Sequence, residues 1–148
     1  MSTWGILGCG TIANEMAETF IKMGHEIYGV SNRTLEKAEK FAETYGVKHV
    51  FKTYEEMLAD EKIDIIYIAT PHSRHYENMM QAVKAGKHVL CEKAITVNAA
   101  QLEEVLKLAE KKHVVVREAM TISHMPLYKK LKERIKEGAI GKTKMVQV

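Results

Sequence analysis

The sequence is short of several things that would decide its class at once. It has two cysteines, Cys9 and Cys91, which form no metal-ligand spacing, so no metal is expected and a reduced, cytoplasmic setting fits best. Its longest wholly apolar runs are about five residues, such as Ile65 to Ala69, where a membrane span needs about 20. No membrane partner is therefore expected. The opening Met1-Ser2-Thr3-Trp4 lacks the basic and apolar regions of a secretory signal. No internal repeat and no low-complexity segment is visible. The formal net charge is only +3, too small to imply a polyanionic partner.

What is present is ordinary for a globular protein: 148 residues, 46% of them hydrophobic and 28% charged. That length is one domain, or one domain and a piece of another. The basic charge gathers at the end, where the last 48 residues hold 11 Lys and Arg against 6 Asp and Glu. Lys129, Lys130, Lys132, Arg134 and Lys136 interleave with Leu127, Leu131 and Ile135 at helical spacing. This predicts a solvated face opposite a buried one, and no nucleic-acid partner, since no recognition motif accompanies the charges.

Strands alternate with helices along the chain. Trp4–Leu7 reads as a strand, followed by a helix over 11–23 that Gly24 closes. Glu26–Val30 is a strand. Thr34 opens a helix ended by Gly46. His49–Phe51 is a short strand. Thr53 and Glu56 form a capping box for a brief helix. Ile63–Ala69 is apolar almost throughout, as a strand buried on both faces is. A helix over 74–85 ends at Gly86, and Val89–Cys91 is the next strand. Asn98 and Gln101 form a second capping box for a helix reaching Lys112, before a strand at Val114–Val116. This alternation predicts an α/β fold, a doubly wound parallel sheet. Pro126 then opens a helix to about Glu137, and Lys144–Val148 reads as a strand with no evident partner.

Four stretches carry chemistry. The first is Gly8-Cys9-Gly10-Thr11-Ile12-Ala13, a G-x-G-x-x-A between a strand and a helix. Gly8 permits a tight turn, Gly10 lets a pyrophosphate approach the backbone, and Ala13 lets helix and strand pack closely. The helix start at Thr11 and Ile12 offers free N–H groups to phosphate. The second is Ser31-Asn32-Arg33-Thr34, where an NAD-preferring site usually carries an acidic residue on the ribose. No carboxylate stands here, and Arg33 with Ser31 can take a 2′-phosphate, so NADP is favoured over NAD. The plainer alternative is an exposed Arg beside a capping Thr34. The third is Thr70-Pro71-His72 with His75, at the carboxyl end of the most buried strand, where ligands bind in such sheets. Thr70 and Pro71 form a turn against ribose and nicotinamide. His72 and His75 are cofactor candidates, with capping or surface roles as the alternative. The fourth is Cys91-Glu92-Lys93-Ala94, leaving the next strand into the same crevice. Lys93 can polarise a carbonyl or hydroxyl, and Glu92 can accept from the nicotinamide ribose. A merely solvated Lys is the alternative.

These motifs occur in one order and spacing, joined by Ala85-Gly86-Lys87-His88-Val89 before Cys91-Glu92-Lys93, and by Glu118-Ala119-Met120 ahead of His124-Met125-Pro126. Together they resemble the N-terminal domain of the glucose–fructose oxidoreductase / inositol dehydrogenase / MocA family, in its dihydrodiol dehydrogenase-like branch. The resemblance implies a Rossmann domain over residues 1–120. It implies that residues 121–148 are a crossover helix and the first strand of a second α/β domain, which this sequence does not contain. It implies NAD(P)-dependent hydride transfer on a sugar, polyol or related small molecule, with Lys93 at the substrate and nicotinamide. It implies a homo-oligomer formed through the second domain, which also carries a catalytic Asp/His pair; residues 1–148 alone are then expected to turn over little. One departure is Ala94, where the family has Pro after a Lys–Pro bond that is often cis. The family also contains a co-repressor that binds the dinucleotide without turnover, so a non-catalytic regulator is the alternative function.

Overall fold

A computed structural model describes residues 2–146. The elements in chain order are β1 (Trp4–Leu7), α1 (Thr11–Lys22), β2 (Ile27–Ser31), α2 (Leu35–Tyr45), β3 (His49–Phe51), α3 (Tyr54–Ala59), β4 (Ile65–Ile68), α4 (His72–Lys84), β5 (His88–Cys91), α5 (Ala99–Lys112), β6 (Val116–Glu118), a 3-10 turn (Thr121–His124) and α6 (Pro126–Lys136). The six strands form one sheet in the order β3-β2-β1-β4-β5-β6, and every pairing is parallel. This is the doubly wound order, in which the chain reverses direction of growth between β1 and β4 and leaves a crevice at the strands' carboxyl ends.

The sheet is buried on both faces because its strands alternate between two apolar sets. Leu7, Ile66, Ile68, Val89 and Cys91 face α3, α4 and α5, meeting Met57, Met79, Val83 and Val105. Ile6, Val30 and Tyr67 face α1 and α2, meeting Ala13, Ala17, Phe20, Ala38 and Phe41. Ala13 and Ala17 lie one turn apart and are fully buried, so α1 sits close over β1. The buried amine of Lys87 donates to the carbonyls of Asp60 (2.7 Å) and Ile63 (2.8 Å), tying the loop before β4 to the start of β5.

Element ends follow local chemistry in most places. The Thr53 side chain accepts from Glu56 N (3.1 Å), while the Glu56 carboxylate accepts from Lys52 N (3.0 Å), one residue outside the expected reciprocal bond. Asn98 accepts from Gln101 N (3.0 Å). Thr34 makes no side-chain cap; its carbonyl instead accepts from Asn32. The sixth strand runs over 116–118 rather than 114–116, because Val114 N is taken by Ala109 O and Val115 N by the His88 ring.

The tail departs from expectation in two ways. Lys144–Val146 forms no strand; a strand needs a partner for its ladder, and none of the described residues supplies one. Gln147 and Val148, the rest of the expected strand, lie outside the described residues. Two of the three apolar positions of α6 are not covered either. Leu127 is 77% exposed and Leu131 52%. The helical periodicity of α6 holds, but of these apolar positions only Ile135 is half-buried, and the described element the helix chiefly contacts is the preceding 3-10 turn. Among the described residues no helix is long and apolar enough to cross a membrane.

Candidate functional site

A crevice of about 1000 Å3 opens at the carboxyl ends of β1, β2 and β4, where the sheet order reverses. Its floor is the glycine turn Gly8-Cys9-Gly10. Its walls are the loops after β2, β3 and β4.

The two glycines do different work. Gly8 has φ +96°, and a Cβ there would lie 2.7 Å from Ala69 O and 2.9 Å from Ala69 C. Its N–H donates to Ser31 O (2.9 Å), so β1, β2 and β4 converge on a position that tolerates no side chain. Gly10 has ordinary backbone geometry, φ −79°, and an added Cβ would meet no protein atom within 4 Å. The protein does not need glycine at 10 for its own packing; the open space lies at the start of α1, whose first turn carries no acidic side chain. Free N–H groups at Thr11 and Ile12, with the helix dipole behind them, suit an anion there. This is the cradle a dinucleotide's pyrophosphate requires, and the residues present fit that group.

Asn32 holds the turn against the next loop. Its Oδ1 accepts from Cys9 N (3.2 Å) and its Nδ2 donates to Thr34 O (3.0 Å). Both ends of the amide are thus engaged by backbone, so Asn32 shapes the crevice. Burial pushes the Cys9 thiol up to about 11, against the opposing charge of Lys37, which keeps it protonated at neutral pH. Arg33 is exposed on the crevice wall. Lys37, one turn further along α2, and Lys52, at the end of β3, line the same wall. None of these three cations is ion-paired among the described residues, whereas Arg74 on the opposite side pairs with Glu77 (2.7 Å). Ser31 corrects the sequence reading. It is fully buried, and its Oγ donates to Phe51 O (3.0 Å), pinning β3 to β2 rather than facing a phosphate.

The loop after β4 is built from α4. Asn78 Nδ2 donates to Thr70 Oγ1 (2.8 Å), which leaves the Thr70 hydroxyl proton free to point elsewhere. Pro71 precedes α4 with φ −58° and is exposed. His72 is exposed at the first position of α4 and lies outside the crevice lining. His75 is a second correction. It is fully buried, with Nδ1 2.9 Å from Ala94 O and Nε2 2.8 Å from Thr70 O. Neither ring nitrogen is left for a ligand.

Beyond the crevice, on the β5 side, stands the Glu92-Lys93 pair. Glu92 is buried, and its Oε1 accepts from the Tyr67 hydroxyl at 2.6 Å. Burial, then this bond, pushes the Tyr67 phenol up, so it remains a donor. The other carboxylate oxygen carries only a long bond from Lys93 N (3.3 Å) and has capacity to spare. Lys93 is exposed, and its amine has no hydrogen bond or ion pair among the described residues. The Lys93–Ala94 peptide is cis. Glu118 at the end of β6 accepts from Ile95 N (2.9 Å), holding the far side of the same loop.

Sequence reading missed Lys37, Lys52, Tyr54, Arg74 and Asn78 as parts of the crevice. Lys52 had a usable signal, because it follows a strand's carboxyl end as Arg33 does. Tyr67 had none, and Glu118 stood out only within the Glu118-Ala119-Met120 motif, not as a loop anchor; their partners lie 25 and 23 residues away in sequence. A second groove, of about 440 Å3, lies at the opposite end of the strands beside Trp4, Met16, Phe20 and Met23.

The sequence model of one protein family, described as "Oxidoreductase family, NAD-binding Rossmann fold", matches residues 2–120. The D-xylose 1-dehydrogenase (NADP(+)) of Hypocrea jecorina is 40% identical over 161 residues, covering 93% of this chain and 39% of its own length. The trans-1,2-dihydrobenzene-1,2-diol dehydrogenase of Xenopus tropicalis is 32% identical over 147 residues, covering 97% of this chain and 44% of its own. The solved structure of KijD10, a 3-ketoreductase from Actinomadura kijaniata in complex with NADP, superposes with a TM-score of 0.87 at 28% identity, covering 95% of this chain and 45% of that one. The chain thus spans about two-fifths of the length of the relatives it matches. A glycine cradle at the switch point of a 3-2-1-4-5-6 sheet and a family match over residues 2–120 agree: the chain belongs to the Gfo/Idh/MocA oxidoreductase family and carries its NAD(P)-binding Rossmann domain.

Proposed function

We propose that this chain is the cofactor half of an NADP-preferring oxidoreductase acting on a sugar, polyol or related alcohol or carbonyl. The supporting observation is the wall of three cations without an ion pair among the described residues, Arg33, Lys37 and Lys52, at the carboxyl ends of β2 and β3, with no carboxylate at the end of β2. A 2′-phosphate is the group such a wall recognises, with Arg33 able to grip it through two parallel N–H bonds. Gly10, Thr11 and Ile12 would hold the pyrophosphate. Thr70 and Pro71 would meet the ribose and nicotinamide end, and the spare oxygen of Glu92 a ribose hydroxyl. When bound, the nicotinamide supplies the hydride chemistry.

Lys93 is the residue for the substrate's oxygen. Its ammonium can donate a hydrogen bond to a carbonyl oxygen, and the same bond holds the proton that an alcohol gains or gives up. The family relatives are more than twice as long as this chain. The full-length protein would carry a second domain, opened by residues 121–148, with further substrate contacts and the partner acid/base. We place it in the cytoplasm as a homo-oligomer, with a small-molecule substrate and no nucleic acid.

Calorimetric titration of the protein with NADPH and NADH tests the cofactor reading. NADPH is expected to bind about 10–100-fold tighter than NADH, the worth of about 1.5–3 kcal/mol from charge-assisted bonds. Arg33→Gln should remove most of that difference and leave NADH within about threefold of its original affinity. Equal binding of both cofactors by the unaltered protein would contradict the NADP preference.

A further inference from the structure

We infer that His75 is a positioning residue, a two-ended brace that sets Lys93 relative to the cofactor turn, and not a ligand of either cofactor or substrate. The inference rests on the reading of Lys93 above. His75 sits in the first turn of α4, beneath both loops. Its Nε2 lies 2.8 Å from Thr70 O, on the turn that lines the crevice, and its Nδ1 lies 2.9 Å from Ala94 O, the residue after Lys93. These carbonyls belong to loops after two neighbouring strands, β4 and β5. The ring fills the gap between them; a carbonyl oxygen only accepts, so a neutral ring donates to one of the two and packs against the other, and it bonds to both at once only when both nitrogens carry a proton.

The surroundings strengthen the geometry. Asn78, one turn along the same helix, is also buried and holds the Thr70 side chain (2.8 Å). The Lys93 loop is fastened again at its far side by Glu118 to Ile95 N (2.9 Å), and at its near side by Glu92 N donating to Ile68 O (2.9 Å). Lys93's own amine is tethered by nothing among the described residues. Its placement therefore comes from the backbone on either side, and His75 is the only side chain with ring nitrogens within hydrogen-bond distance of a carbonyl in each loop among the described residues. A hydride site is sensitive to such placement, since misplacement of a reacting group by about 1 Å can cost about 100-fold in rate.

The two ring nitrogens can be mimicked separately. The amide nitrogen of Asn falls near the Nδ1 position and that of Gln near Nε2. In the full-length protein, His75→Gln keeps the Thr70 end and frees Ala94; kcat is expected to fall about tenfold or more, with NADPH affinity within about threefold. His75→Asn keeps the Ala94 end and frees Thr70; NADPH affinity is expected to fall about tenfold, with kcat within about threefold. On a Lys93→Met background, His75→Gln should lower kcat no further, because it acts through Lys93. If both variants lose kcat and affinity in equal proportion, or lose only thermal stability, the brace is wrong. It is equally wrong if Lys93→Met cripples turnover while His75→Gln leaves it intact. Full turnover in Lys93→Met overturns the reading of Lys93 itself, and the brace with it. Should His75→Gln not fold, Glu118→Met releases the same loop at Ile95. It is then expected to lower kcat without changing NADPH affinity, and unchanged kcat counts against the brace.

Discussion

Lys93→Met is expected to lower the kcat of the full-length protein about 10²–10⁴-fold, the usual worth of a positioned proton donor, while NADPH affinity stays within about threefold. The separation follows from where Lys93 sits. Its amine has no partner among the described residues, so its removal leaves no buried group unsatisfied. The loop around it is held by backbone and by Glu118, neither of which the substitution touches. Met preserves the length and the apolar stem. Steady-state kinetics with a thermal melt beside them check this result: turnover should collapse with a melting temperature nearly unchanged, as for an exposed residue. A variant that loses stability and cofactor binding together would make Lys93 a structural residue.

The second large effect separates the two glycines of the turn. Gly8→Ala is expected to destabilise the protein by about 2–6 kcal/mol, combining a strained backbone region with a forced contact. The new Cβ would meet the Ala69 carbonyl oxygen at 2.7 Å, and the Ala69 backbone, tied to β1 by its N–H on Leu7 O (2.8 Å), cannot swing aside as a flexible side chain can. Gly10→Ala has the opposite profile. The methyl meets no protein atom within 4 Å, so the fold loses no more than about 1 kcal/mol, the difference between Gly and Ala at a helix N-cap. It does stand where the pyrophosphate must approach, and NADPH affinity is expected to fall on the order of 100-fold. Chemical denaturation and calorimetry on the two variants check the pair. If Gly10→Ala bound NADPH normally, the cradle would have been assigned to the wrong place.

Most of the architecture was legible because it rests on periodicity. Unbroken apolar strands at β1 and β4, amphipathic helices between them and the glycine turn at the first junction define a doubly wound sheet without long-range information. The site was legible by loop but not by side chain. Ser31 and His75 stand at the right ends of the right elements, as ligands would. What turns them inward is a carbonyl supplied from elsewhere: Phe51 for Ser31, Ala94 and Thr70 for His75. Lys52 is marked by its place at a strand's carboxyl end, but that it shares a wall with Arg33 follows from β3 lying beside β2 in the sheet, which local sequence does not announce. The tail failed for the complementary reason. A strand over the described part of the tail, 144–146, and a fully buried face on α6 both presuppose neighbours, and none among the described residues takes that place.

The proposed roles depend on a dinucleotide lying across the glycine turn, with its 2′-phosphate end toward Arg33 and its nicotinamide end toward Thr70. Amide hydrogen exchange of the protein with and without NADPH measures this most directly. Slowed exchange is expected at Cys9, Gly10, Thr11 and Ile12, at the loop from Asn32 to Lys37, and at Thr70. Protection confined to the groove beside Trp4 and Phe20, at the other end of the strands, or no protection at the glycine turn with cofactor in saturating excess, would contradict it.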